Sequence, residues 1–363
     1  MGTRRRHLVV SATDGTLRRP VELAAFGLIP TERIAELEPV SKRYALALPP
    51  ALVRLIDPAD PEDPIARQFL PDSNELENTP GEIADPIGDN VYSPVEAIVH
   101  RYPDRVLLKL LATCPVYCRF CFRRETVGQG KGVLSSEALD RALAYIAAHS
   151  DIWEVILTGG DPLALSPRRL EAVARRLAGV AHVKILRIHT RMPVAVPERI
   201  DAALIAALQA SGKSVYVALH ANHPRELTQA ARMACARFID AGIPMLGQTV
   251  LLRGVNDNAE TLAALMRAFV ETRIKPYYLH HPDLAPGTAH FRLSIEEGQT
   301  LAAALLGRIS GLCQPTYVLD IPGGFGKTPI GRNRVRLGKA DTGEADSHEI
   351  EDWRGIVHAY PPA

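Results

Sequence analysis

From Val106 onward, short apolar runs alternate with amphipathic helical stretches, one pair in about 30 residues, and this rhythm constrains the fold more than any other feature. Strand patterns fall at 106–112, 153–158, 182–188, 214–219, 245–251 and 275–279, with a closing run at 316–319. Helical patterns fall between them at 136–149, 167–177, 198–210, 224–241, 258–270 and 295–309. Strands that alternate with helices form a parallel sheet with right-handed crossovers. Six such units suit an open doubly wound sheet or an incomplete barrel, and in either one ligands collect at the carboxyl ends of the strands. The segment before the rhythm is different. Prolines are frequent from Pro20 to Pro103, short helices are expected at 31–37 and 51–56, and residues 57–88 read as an irregular loop around the body. The expected organisation is an N-terminal, mostly helical extension over 1–95, an α/β body over 96–320, and a glycine-lysine loop with a short tail over 321–363.

Three of the five cysteines, Cys114, Cys118 and Cys121, form a C-x3-C-x2-C loop just after the first strand. A secreted disulfide framework spreads and pairs its cysteines, whereas clustering points to metal or cluster binding. Cys235 and Cys313 stand alone in apolar surroundings and read as small buried hydrophobes. A net charge of +1 gives no bulk attraction for nucleic acid or an anionic membrane. No run reaches the ~18 apolar residues of a membrane span. The basic start, Met1 to His7, precedes only Leu8-Val9-Val10, too short for a signal-peptide core. A cytoplasmic protein is expected.

Zinc would need a fourth ligand for this loop, with His100 or His220 as candidates, because structural zinc sites are closed and four-coordinate. Iron-sulfur clusters use thiolates and accept a fourth position that is not cysteine. Tyr117, Phe120 and Phe122 would shield such a cluster from water. The loop resembles that of the radical S-adenosylmethionine superfamily. The resemblance implies a four-iron, four-sulfur (4Fe-4S) cluster whose open iron chelates S-adenosylmethionine and cleaves it to a 5′-deoxyadenosyl radical. It also implies that Gly159, Gly160 and Asp161, after the second strand, form the glycine-rich position that contacts the methionine amino group. The fold then expected is a partial (βα)6 TIM-like barrel.

Lys327 follows the last strand in Asp320-Ile-Pro-Gly-Gly-Phe-Gly-Lys-Thr-Pro329. One reading is a glycine turn with a solvated lysine. A phosphate loop fails on spacing, because Ile321 stands where G-x4-G-K-[ST] needs glycine. A third reading is a Schiff base between Lys327 and pyridoxal 5′-phosphate. Arg101 and Arg105, just before the first strand, are candidates for the phosphate, with Tyr102 near the ring.

The motifs taken together resemble the lysine 2,3-aminomutase family. They are Arg101 to Arg105, the cysteine loop with Arg123-Arg124, Thr158 to Asp161, His189 to Pro193, His220 to Pro224, Gln248 to Asp257, Pro276 to Tyr278, His290 to Arg292 and Pro322 to Pro329, in that order. The resemblance implies that Lys327 carries the cofactor and that Arg123 holds the substrate carboxylate. It places His220 and Gln248 near S-adenosylmethionine. Asp283 and Asp320 would bind the substrate's distal ammonium, each charge-assisted bond being worth about 1.5–3 kcal/mol. A glutamate side chain would meet the same two carboxylates, and at ~4 Å and an effective dielectric of ~20 each like-charge pair costs about 4 kcal/mol. The implied reaction moves the α-amino group of L-lysine to the β-carbon after hydrogen abstraction, with the pyridoxal π system assisting the migration. An electron donor such as a flavodoxin or ferredoxin is implied as partner, and homo-oligomer formation is left open. Asn258 stands where some members carry a zinc-binding cysteine, and no cysteine follows Cys313, so that zinc site is expected to be absent. His280, His281 and Phe325 depart from the family pattern around the pocket. Synthesis of β-lysine for elongation factor P, a related aminomutase for another basic amino acid, and a radical enzyme without pyridoxal phosphate are the alternatives.

Overall fold

The computed structural model describes residues 15–130, 132–337 and 348–360; the basic start and Leu8-Val9-Val10 lie outside them. Four short helices come first: α1 (Pro20–Ala25), α2 (Ile34–Arg43), α3 (Pro50–Val53) and α4 (Pro64–Phe69). Residues 57–88 are therefore not wholly irregular, since they contain α4 and a 3-10 turn at Ser73–Leu76. The Asp63 carboxylate caps α4 by accepting the N–H groups of Ile65 and Ala66, both at 2.8 Å, and Pro64 occupies the first helical position. Leu23, Leu37, Leu52, Ile65 and Phe69 form a core of their own that also receives Val116 from the cysteine loop. The extension thus packs directly on the loop that carries the thiols.

A nine-stranded sheet follows, its strands in sequence order. They are β1 (Ile98–Tyr102), β2 (Arg105–Leu111), β3 (Glu154–Gly159), β4 (Ile185–Thr190), β5 (Ser214–His220), β6 (Met245–Val250), β7 (Ile274–His280), β8 (Thr316–Ile321) and β9 (Gly326–Pro329). Strands β2 to β8 are parallel, while β1 and β9 are antiparallel edges. The intervening helices are α5 (Ser136–Ala148), α6 (Pro167–Ala178), α7 (Met192–Ala195), α8 (Ala202–Gln209), α9 (Gln229–Asp240), α10 (Ala259–Glu271) and α11 (Ile295–Ala303). This is the expected α/β architecture, a partial TIM-like barrel. Helix α6 shows the local logic: Leu170, Val173, Ala174 and Leu177 share one buried face, and Ser166 caps the start. Val155, Leu157, Leu186, Ile188, Val217 and Leu219 pack with Phe238 and Phe269 in the main core.

Two expected helices begin later than their periodicity suggested. Pro197–Arg199 and Pro224–Glu226 are 3-10 turns, and α8 and α9 start only after the caps Asp201 and Thr228. The hairpin β1–β2 and the strand β9 were not expected. The described part of the C-terminal tail forms an antiparallel sheet of β10 (Val335–Leu337), β11 (His348–Glu351) and β12 (Val357–Tyr360). Cys235 and Cys313 are buried, as expected. No helix among the described residues is long and apolar enough to cross a membrane.

The sheet does not close through a strand ladder. Its two edges meet where the Lys327 N–H of β9 donates to the Tyr102 hydroxyl of β1, at 2.7 Å. Gly326 permits this approach. Its φ is +93°, and a Cβ there would lie 3.0 Å from that hydroxyl.

Glu75 fastens the extension to the cysteine loop. Its fully buried carboxylate accepts Arg119 Nε at 2.9 Å and Nη2 at 2.6 Å, and also pairs with Arg124. Burial alone would raise its pKa, but the two guanidinium groups hold it below the usual range. Glu75→Gln leaves two buried guanidinium groups without their counter-charge. It is expected to lower the unfolding free energy by about 3–5 kcal/mol, measured by chemical denaturation.

Candidate active site

One cavity of about 910 Å³ runs through the barrel. Cys114, Cys118 and Cys121 line it at the carboxyl end of β2. Burial lifts all three thiols above their ordinary pKa, Cys118 to about 11. Coordination to iron would reverse this, because a ligating thiol loses its proton. Among the described residues, no three His, Cys, Asp or Glu side chains converge as they would on a single metal ion. A four-iron cube binds its thiolates on separate irons and so requires them spread. The donor set fits such a cluster, with one iron left for another ligand. Phe120 and Phe122 line the cavity beside the thiols, whereas Tyr117 lines a smaller pocket behind them.

The glycines after β3 are dictated by close packing. A Cβ on Gly159 would lie 2.4 Å from the Leu111 carbonyl, and one on Gly160 would lie 2.2 Å from the Thr113 carbonyl. The Gly160 and Asp161 N–H groups donate to these same two carbonyls, at 2.6 and 3.0 Å. Both glycines therefore seat the entry to the cysteine loop, and of the two Gly160 lines the cavity. The Asp161 carboxylate is buried and engaged. It accepts the N–H groups of Leu163 at 3.0 Å and Arg191 at 2.7 Å, and the Thr190 hydroxyl at 2.8 Å. It ties the end of β3 to the end of β4.

His220 ends β5 and sits beside Gln248 of β6 in the ladder, both on the cavity wall. The Asn222 side-chain oxygen also accepts the Val250 N–H, so it accepts from His220 Nε2–H at 3.1 Å and leaves Nδ1 as an acceptor. Burial pushes the His220 pKa well down, and the ring is neutral.

Asp89 organises the cationic side of the cavity. Its Oδ2 accepts Arg123 Nε at 3.0 Å and Nη2 at 2.8 Å, and its Oδ1 accepts Arg101 Nη2 at 3.2 Å. Burial opposes its ionisation, yet Arg123, Lys109 and Arg101 hold its carboxyl below the usual range. Arg105 pairs with Asp104 at 2.7 Å and lies 3.9 Å from the centre of the Tyr102 ring. Arg101, Tyr102 and Arg105 belong to the β1–β2 hairpin, at the end of β2 away from the cysteines, and the Arg101 side chain reaches back to share Asp89 with Arg123.

Between these ends lies Lys327, directly across from Asp320 on neighbouring strands. Its ammonium pairs with Asp320 Oδ2 and donates to His280 Nδ1 at 3.3 Å. The carboxyl of Asp320 is held below its ordinary range: burial opposes this, but the paired Lys327 ammonium prevails. Asp283 has no hydrogen-bond or ion-pair partner among the described residues. Burial, with the charge of Asp320, raises its pKa to about 7.

The cavity wall and the residues packed behind it include side chains that sequence reasoning missed. Asp89 and Glu75 sit in a stretch without periodicity, so no pattern signalled them. Glu154 and Arg187 were detectable as polar residues in otherwise apolar strands, and they pair inside the barrel at 3.0 Å.

Residues 108–266 match the Radical SAM superfamily. The L-lysine 2,3-aminomutase of Clostridium subterminale is 40% identical over 322 residues, covering 88% of this chain and 75% of that one. The L-lysine 2,3-aminomutase of Acetoanaerobium sticklandii is 40% identical over 290 residues, covering 80% and 70%. The chain belongs to the lysine 2,3-aminomutase family. It is a radical S-adenosylmethionine enzyme of the aminomutase class, an isomerase that uses a 4Fe-4S cluster and S-adenosylmethionine. The family also holds a glutamate 2,3-aminomutase from Clostridioides difficile, 35% identical over 294 residues, covering 81% of this chain and 69% of that one.

Proposed function

We propose that this enzyme is a pyridoxal phosphate-dependent lysine 2,3-aminomutase that converts L-lysine to β-lysine. The observation that carries the reading is that Lys327, Asp320 and Asp283 share one cavity with the three thiols. Cys114, Cys118 and Cys121 hold three irons of the cluster, and Gly160, His220 and Gln248 lie nearest the S-adenosylmethionine. Gly159, behind the cavity wall, and Asp161, on it, hold the cysteine loop in place. Lys327 is the attachment point for pyridoxal phosphate, Arg101 and Arg105 take its phosphate end, and Tyr102 lies near the ring. The cluster with S-adenosylmethionine supplies one-electron chemistry, and pyridoxal phosphate supplies a conjugated π system.

The chain's own residues account for substrate choice. Arg123 takes the substrate carboxylate, and Asp89 fixes its guanidinium plane. Asp320 neutralises Lys327 while that lysine is charged. Once Lys327 has lost its charge, Asp320 and Asp283 are left facing the cavity with no cation between them, which favours a substrate with a distal ammonium. A flavodoxin or ferredoxin is the proposed electron donor.

Anaerobic reconstitution with S-adenosylmethionine, pyridoxal phosphate, reductant and either L-lysine or L-glutamate tests the assignment by mass spectrometry. β-Lysine is the expected product. A β-amino product from glutamate, with none from lysine, would overturn it. Asp283 must be ionised to hold an ammonium. With its pKa at about 7, kcat/KM for lysine is expected to rise as pH climbs through that value. Asp283→Asn should abolish this rise and lower kcat/KM by about ten- to a hundredfold.

A further inference from the structure

His280 occupies a position that the proposed roles leave unused. It ends β7, lines the cavity, and stands edge-on to Tyr278 with ring centroids 5.6 Å apart. Its Nδ1 is 3.3 Å from Lys327 Nζ and 3.7 Å from Asp320 Oδ2. An ammonium can only donate, so Nδ1 carries the lone pair and Nε2 carries the hydrogen. Nε2 has no protein partner among the described residues. The ring therefore touches the one amine in the cavity with its basic atom and keeps its other nitrogen free.

We propose that His280 is a catalytic residue that accepts a proton from Lys327 Nζ when that nitrogen bonds to the aldehyde carbon of pyridoxal phosphate. The inference rests on the Schiff-base role of Lys327 proposed above. One N–H bond of the Lys327 ammonium breaks, and its proton joins His280 Nδ1. The freed lone pair adds to the aldehyde carbon, the two hydrogens left on the nitrogen pass to the carbonyl oxygen, that oxygen leaves as water, and a carbon–nitrogen double bond remains. Nothing is oxidised or reduced. The imidazolium can then discharge its Nε2 proton to water in the cavity.

Among the groups within hydrogen-bond reach of the ammonium, His280 is the acceptor; Asp283 is within electrostatic reach of Lys327 but makes no hydrogen bond to it. Asp320 touches the same ammonium, but its carboxyl lies below the ordinary range and will not keep a proton. It serves instead as the counter-charge for the imidazolium. Tyr278 is a phenol whose pKa is raised by burial and by its bond with Tyr277, so it is neutral and has no basic site. His189 and His220 lie within electrostatic reach of His280, but burial pushes both well down, and neither hydrogen-bonds Lys327. Burial, with the charge of Lys327, also lowers His280, so it is neutral and ready to accept at neutral pH. Departure of the Lys327 charge removes the main electrostatic opposition to protonating the ring.

The test follows Schiff-base absorbance after pyridoxal phosphate is mixed with the cluster-loaded full-length chain, without lysine or reductant. In the unaltered chain the proton moves internally, so the rate should be nearly flat around neutral pH. In His280→Gln, Lys327 must lose its proton to water, and the rate should fall at least tenfold at neutral pH and climb about tenfold per pH unit. Added imidazole should restore the rate of His280→Ala, a rescue that a merely structural role would not show. A His280→Gln variant with the flat profile of the unaltered chain would overturn the role, even if its rate were lower. So would a His280→Ala variant that imidazole does not rescue. Absence of Schiff-base absorbance in the unaltered chain would sink the function proposed for Lys327 and this inference with it.

Discussion

The N–H of Lys327 donates to the hydroxyl of Tyr102, and this bond joins the two free edges of the sheet. Seven parallel strands, β2 to β8, cannot close the barrel, and without a closing contact the cavity would be a groove with an unpaired edge on each side. The short hairpin from β8 to β9 spans part of the opening, and β1 covers the rest. The lysine backbone is thereby fixed from one edge while its side chain is held from the other by Asp320 and His280. An amine that would be mobile on a glycine loop becomes a wall element of an enclosed site.

The thiol end of the cavity is held by a different device. Glu75, buried and paired with Arg119 and Arg124, clamps the loop between Cys118 and the residues after Cys121. From the opposite side, Gly159 and Gly160 admit the Leu111 and Thr113 carbonyls at distances no side chain would allow. Buried ion pairs of this kind do little for net stability, since desolvation offsets much of their attraction, but breaking one partner is costly. Their value here is in fixing where three sulfur atoms stand. Asp89 does the same for Arg123 and Arg101, so both ends of the cavity depend on carboxylates from the segment before β1.

Legibility in the sequence followed periodicity. The alternation of strands and helices was readable because each element repeats its buried positions, as α6 does with Leu170, Val173, Ala174 and Leu177. Cys114, Cys118, Cys121 and Lys327 were readable because their chemistry is unusual at that spacing, and the family motifs made them specific. Asp89 and Glu75 were not, because a carboxylate in a proline-rich loop has no pattern until its arginines are seen in space. The glycines after β3 resemble a cofactor-binding position, yet their immediate necessity is packing against the end of β2 and the Thr113 carbonyl just beyond it. The late starts of α8 and α9 show how a proline turn followed by a capping Asp or Thr can override an apolar run. The pairing of Lys327 with Asp320 also lay beyond sequence, since it depends on the register of a hairpin that glycines gave no reason to expect.

The proposed attachment of pyridoxal phosphate to Lys327, in the cavity lined by the three thiols, is the central claim. Borohydride reduction of the cluster-loaded protein with pyridoxal phosphate, followed by peptide mapping, tests this directly. The account predicts a single pyridoxyl label on Lys327. A label on any other lysine, or none, would contradict it.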